Sequence, residues 1–228
     1  MTYRAKAVIE VVGEGRTDVG LVETSGEPSD PSPPNKGVVP IVVHALCGKP
    51  DTMLVVRRQY ASLQGRGKTR AQKVHFAKRQ ALYNNSAGIV FVLDSEGDLK
   101  GRTRELIEGR DRQYPEYPAA VGVAHPCIEA WLLADAAAIG QSLNLAKTPP
   151  VPEKPEELPA PCRDGKNNPK AVLRAVAGRR ISVDDKDRIA ATMDLAVLRQ
   201  RCPLGFAPFA AEVEQFVQPL FPKPPASA

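Results

Sequence analysis

Acidic side chains stand at three points where an apolar run gives way to polar sequence. Glu14 follows Ala5–Val12 within Gly13-Glu14-Gly15, and Asp94, Glu96 and Asp98 follow Gly88–Leu93. Glu129 sits early in a helical run, Cys127-Ile128-Glu129-Ala130-Trp131-Leu132-Leu133, where a core helix would otherwise carry Ala or Leu. Carboxylates brought onto one patch raise each other's pKa, so such a gathering makes chemical sense around a divalent cation. Oxygen donors of this kind suit Mg²⁺ or Mn²⁺ better than zinc. Each acid also has a plainer role open to it: Glu14 in a solvated turn, the Asp-Ser-Glu-Gly-Asp run as a loop with a helix cap, Glu129 complementing a helix dipole. Three separate strand ends all closing on acids favour the joint reading, with Glu14, Asp94, Glu96, Asp98 and Glu129 as metal ligands.

A second feature is electrostatic. Between Asp51 and Asp94 there is no acidic residue, while Arg57, Arg58, Arg66, Lys68, Arg70, Lys73, Lys78 and Arg79 carry positive charge, against a net charge of +5 for the whole chain. Arg66, Arg70 and Lys73 fall on one stripe at helical spacing, and with Lys68 they form a candidate surface for a phosphate backbone. The plainer reading is a solvated helix face. Two motif fragments fail: Gly65-Arg66-Gly67-Lys68-Thr69 has Ser62 where a phosphate loop needs its first glycine, and Gly13-x-Gly15 has Asp18 where a dinucleotide fingerprint needs its third. His125 lies beside the acidic patch, but a histidine before proline at a strand end is more often structural.

The elements that must position these residues read as alternating strands and helices. Ala5–Val12, Val38–Leu46, Met53–Val56, Gly88–Leu93 and Ala119–Ala124 read as strands. Thr17 or Asp18 is placed to cap a short helix after the first of them. Lys68–Tyr83 and Gly101–Gln113 read as helices, as does a run from Pro126 to about Ile139. Asn168–Val176, Asp184–Arg199 and Phe206–Phe216 follow as helices. The alternation predicts an α/β fold with a mostly parallel sheet, whose functional groups gather beyond the carboxyl ends of its strands. Seventeen of the 22 prolines lie in Pro28–Pro40, Pro149–Pro161 and Pro203–Pro225, so they mark connectors. The expected organisation is a catalytic domain over 1–146 with a proline-rich insertion near 23–37, a linker over 147–167, and a helical extension over 168–228 that packs on the sheet.

The strand followed by Glu14-Gly15-Arg16-Thr17-Asp18, then the strand followed by Asp94-x-Glu96-x-Asp98, then Cys127-Ile128-Glu129-Ala130-Trp131-Leu132-Leu133-Ala134-Asp135, resembles the Toprim pattern. The flavour is similar to small stand-alone Toprim proteins related to the overcoming-lysogenization-defect nucleases. The resemblance covers about Val8–Asp135 and extends weakly to Asn167-Asn168-Pro169-Lys170 and the C-terminal helices. It implies a Rossmann-like Toprim fold, two-metal phosphodiester chemistry with Mg²⁺ or Mn²⁺, and a partner ATPase in antiphage defence. It also implies that Glu14, Asp94 and Glu96 are catalytic and that Lys170 stands near the scissile phosphate. The sequence departs from the pattern at its second acid, which is Glu96 rather than aspartate and leaves Glu96 and Asp98 as alternatives.

Composition bounds the remaining choices. No run approaches the roughly 18–20 apolar residues of a membrane span, and the start of the chain has no long apolar stretch of the secretory kind. Cys47, Cys127, Cys162 and Cys202 are far apart, which points to reduced thiols in a cytoplasmic protein, with Cys127 in the core. The expectation is a cytoplasmic nuclease acting on DNA or RNA, with a partner ATPase, no membrane association and room for a homo-oligomer. Its rivals are a non-catalytic Toprim-like module that docks a partner protein or nucleic acid, and a metal phosphohydrolase acting on small phosphate esters.

Overall fold

A computed structural model describes residues 6–20, 37–59 and 69–221. Four parallel strands, β1 (Ala7–Gly13), β2 (Met53–Gln59), β3 (Gly88–Asp94) and β4 (Ala119–Ala124), form one sheet in the order β2-β1-β3-β4. The architecture is Rossmann-like α/β, with an all-parallel sheet. The chain steps from β1 outward to β2 and then back past β1 to β3, so the direction of winding reverses between β1 and β3. In open parallel sheets the crevice for ligands lies at this reversal, beyond the carboxyl ends of the strands.

Both sheet faces are covered, and for that reason the strands read as continuous apolar runs rather than alternating ones. On one face Val12, Ile89, Phe91, Leu93, Val121 and Val123 meet Val74, Ala77 and Ala81 of α3 (Arg70–Tyr83) and Leu106 of α4 (Leu99–Asp111). On the other, Ile9, Val11, Val55, Val90, Val92 and Ala120 share a core with α2 (Val38–Leu46), α5 (Ile128–Leu133) and the helices of the C-terminal half. Trp131 of α5 lies stacked on Phe209 and edge-on to Phe206, both at 5.3 Å between ring centroids. These phenylalanines belong to α10 (Phe206–Phe216), which packs so closely on β4 that a β-carbon at Gly122 would fall 2.4 Å from Phe209. Glu10, on β1, is buried but satisfied: it accepts from Arg58 Nε at 2.6 Å and from Asn84 and Ser86 at 2.9 Å each.

Several sequence expectations are corrected. Val38–Leu46 is helix α2, not a strand; its valines at 38, 42 and 39, 43 share a helical face, and Pro40 sits in the first turn, where its missing N–H is harmless. Its start fits only glycine: Gly37 has φ of 123°, its missing β-carbon would strike the Val19 carbonyl carbon at 2.3 Å, and its N–H donates to Asp187 at 2.8 Å. The run expected from Pro126 to Ile139 divides into α5 and α6 (Ala136–Ser142), because Asp135 turns its carboxylate onto the Ala138 N–H and caps a new helix. Pro126 lies before α5 rather than inside it. The run over 184–199 likewise divides into α8 (Val183–Thr192) and α9 (Leu195–Arg201), with Asp194 as the cap between them. Neither Thr17 nor Asp18 precedes α1 (Arg16–Val19) as its cap; both lie within it. Nearly all of the proline-rich insertion falls outside the described residues. Among the described residues no helix is long and apolar enough to cross a membrane, and Cys47, Cys127 and Cys202 are buried free thiols.

Candidate metal centre

The reversal between β1 and β3 brings Glu14, just past β1, beside Asp94, the last residue of β3. Helix α1 is a single turn that folds position 18 back over position 14, and its Asp18 carboxylate accepts the Gly15 N–H at 2.9 Å. Beyond β4 the chain enters α5 at Cys127, which sets Glu129 in the first turn with only 3% of its surface exposed. Asp94 Oδ1 accepts the Ile128 N–H at 2.9 Å and so ties the end of β3 to the start of α5. The result is a tight group: a carboxylate oxygen each from Asp94 and Glu129 and the Cys127 sulfur lie within 4.8 Å of one another.

The electrostatics are those of crowded carboxylates. Burial, then Asp18, Glu129 and Glu14, hold the Asp94 carboxyl well above the usual carboxylate range. Burial together with Glu129 pushes Asp18 up to about 6, against the hydrogen bond from Gly15. Glu14 is also raised, by burial and by Asp18 and Glu96. Glu129 is opposite in sense: burial raises it, but the ammonium groups of Lys186 and Lys170 outweigh this and its carboxyl is lowered. Lys186 Nζ donates to Glu129 Oε1 at 2.8 Å. The other oxygen, Oε2, is buried without a well-formed hydrogen bond among the described residues, and the neighbouring Cys127 thiol is only a weak donor.

A buried carboxylate oxygen with no donor stronger than a thiol, in a group with a second carboxylate, fits a hard divalent cation. Burial and the adjacent Glu129 and Asp94 charges raise the Cys127 thiol. Asp94 and Glu129, with Cys127 beside them, are the residues that could hold such an ion; Glu14 and Asp18 lie within electrostatic range of Asp94 but outside that close group.

The other sequence-selected residues are arranged differently. Glu96, in a turn with φ of 49°, pairs with Arg102 Nη2 at 2.6 Å; the same guanidinium reaches Glu14 at 3.9 Å. Asp98 caps α4 by accepting the Gly101 N–H at 3.0 Å. Lys170, in the first turn of α7 (Pro169–Ala177), lies within electrostatic range of Glu129, Asp94, Cys127 and Asp18, and these acids raise its ammonium despite burial. Asp98→Ala is expected to cost about 0.5–2 kcal/mol of stability, the ordinary cost of losing a helix cap. It should leave the melting shift produced by Mn²⁺ unchanged, and a lost shift would make Asp98 a ligand.

Three cations of the basic segment, Arg58, Arg70 and Lys78, are engaged within the fold. Arg58 pairs with Glu10 and Arg70 with Glu105 at 3.0 Å, so charges distant in sequence supply the counter-ions that the segment lacks. Lys78, counted in the basic segment, is instead buried, its ammonium donating to the carbonyls of Arg110 and Tyr114. Lys73 lies on α3 beyond the capping box of Thr69 and Gln72. Arg66 and Lys68 lie outside the described residues. His125 Nδ1 is 2.7 Å from the buried Ser95 hydroxyl, a structural pairing in which burial lowers the imidazole.

Sequence reasoning missed Asp18 and Lys186 as members of this centre. Asp18 stands in the Glu14-Gly15-Arg16-Thr17-Asp18 run, but its sequence setting suggests only a helix cap. Lys186 had no signal in the sequence, because α8 reaches α5 only through tertiary packing.

Among known proteins, residues 38–214 match the family described as "Domain of unknown function (DUF4276)". No curated protein and no solved structure matches the chain.

Proposed function

The chain belongs to that family, whose description assigns no chemistry, and from this premise we propose that it is a metal-dependent nuclease that hydrolyses phosphodiester bonds of DNA or RNA. The observation that carries the reading is the buried Asp94, Cys127 and Glu129 group at the winding reversal, with Glu14 and Asp18 beside it and one Glu129 oxygen unsatisfied. A bound Mg²⁺ or Mn²⁺ supplies an acidified water and neutralises charge on the phosphate. Asp94 and Glu129 would hold the ion, with the Glu14 carboxylate within electrostatic range at the neighbouring strand end. Lys170 keeps its proton and sets positive charge where the phosphate accumulates negative charge. The resemblance to Toprim proteins supports the same chemistry, and it brings with it a partner ATPase and a role in antiphage defence; the unpaired cysteines support a cytoplasmic setting.

A second reading, a non-catalytic module that binds metal and docks a partner, draws on a specific observation. Glu96 and Asp98, two of the acids that the Toprim pattern would enlist, are engaged by Arg102 and by the α4 cap. Cleavage assays decide between the two. Purified protein, alone and with a candidate ATPase, is incubated with plasmid DNA and structured RNA in Mg²⁺ or Mn²⁺. Cutting that disappears in Glu14→Ala and Asp94→Ala supports the nuclease. Absence of cutting under every condition, or equal cutting by the variants, overturns it.

A further inference from the structure

Behind the metal centre, α7, α8 and the turn between them enclose a cleft of about 130 Å³. Its charged lining is four cations, Lys170, Arg174, Arg180 and Lys186, against the single carboxylate of Glu129; the rest is apolar. Neighbouring arginines are neutralised locally, since Arg179 and Arg188 both hold Asp185, at 2.6 and 2.5 Å. Arg174 and Arg180 make no ion pair among the described residues, and both are exposed at the mouth of the cleft. Positive charge that meets no protein acid, gathered in a small concavity, is the arrangement that guanidinium groups make for a phosphate. The volume is well below the roughly 300–1,000 Å³ of pockets for whole small molecules, and suits one anionic group rather than a nucleoside.

We propose that this cleft is a second phosphate-binding subsite, holding a backbone phosphate next to the one at the metal centre. The two sites share residues: Glu129 faces Asp94 and Cys127 on one side and Lys186 on the other, and Lys170 belongs to both. Adjacent phosphates of a nucleic-acid strand are separated by a single sugar, so a strand bound at the metal centre brings its next phosphate to the cleft. The substrate class is therefore a polynucleotide rather than an isolated phosphate ester. This assignment rests on the nuclease reading for its role, but binding of an anion at the cleft does not.

The experiment has two arms. Titration of inorganic phosphate into the full chain in EDTA, followed by calorimetry, is expected to show binding that weakens about 10-fold or more in Arg174→Ala/Arg180→Ala, as two charged contacts are lost. Unchanged phosphate affinity overturns the subsite, whether or not the protein proves to be a nuclease. In the second arm, the double variant is expected to cut an oligonucleotide at least 10-fold more slowly while hydrolysing bis(p-nitrophenyl) phosphate, a diester with no neighbouring phosphate, at the wild-type rate. Equal losses on both substrates overturn the role in holding a neighbouring phosphate.

Discussion

Asp94→Asn is expected to melt higher than the wild-type protein in EDTA at pH 7, and to lose most of the stabilisation that Mn²⁺ confers. The carboxyl groups of Asp94 and Asp18 are raised in the folded state, so folding favours their protonated forms. For an acid shifted in this direction the stability contribution is complete below its unfolded pKa, near 4, and is lost as pH rises through the folded value. For Asp18, shifted to about 6, the loss is on the order of 3 kcal/mol by pH 7. An asparagine at position 94 has no carboxyl that folding must protonate, while its oxygen can still accept the Ile128 N–H. The melting difference between variant and wild type should therefore be small at pH 4 and grow through pH 6, reaching several degrees at about 2–4 °C per kcal/mol for a chain of this size. Under the metal-site reading a cation should reverse the order, because binding to the wild-type carboxylates would stabilise the protein by about 2.7 kcal/mol at a hundred times its Kd. Under the nuclease reading the same variant should lose cleavage by about 10²–10³-fold, as when a principal electrostatic stabiliser is removed. A variant less stable than wild type at pH 7 without metal would make Asp94 a structural carboxylate.

The second large effect concerns Lys186. Lys186→Met leaves Glu129 buried without its 2.8 Å partner, a change that costs about 3–5 kcal/mol where no other charge compensates. Lys170 offsets part of this. Two further results follow from the same cause. Mn²⁺ should restore more stability to Lys186→Met than it adds to wild type, because the ion supplies the missing positive charge. Lys186→Met/Glu129→Gln should recover most of the loss without metal, since a neutral pair leaves no bare charge in the core. Chemical denaturation of the three proteins with and without Mn²⁺ measures all of this, and a double variant no better than the single one would show that Lys186 acts through packing rather than charge.

What the sequence made legible follows from the range of the forces involved. Ala119–Ala124 and Phe206–Phe216 emerge with the expected bounds because their patterns are local, an unbroken apolar run in the first and an amphipathic repeat in the second. Glu14, Asp94 and Glu129 could be selected because a parallel sheet sends its strand ends to one edge, a rule of topology. Val38–Leu46 misled because β-branched residues favour strands only weakly, and a helix sheltered in the core overrides that preference. The charge count over Asp51–Asp94 misled for a different reason: Glu10 and Glu105, outside that window, are the partners of Arg58 and Arg70. Ion pairs obey distance in space, which a sequence window does not measure.

The hydrogen bond from Ile128 to Asp94, together with Trp131 between Phe206 and Phe209, makes the last helix a gauge block for the placing of Glu129 against Asp94. Helix α5 spans only Ile128–Leu133; one end is fixed by β3 and its body is seated against α10, so its first turn has little freedom to wander. Ligand spacing at the centre is thus set by aromatic rings about eighty residues further along the chain. A length of sequence cut to contain every acid of the site would carry its ingredients but not their tolerances.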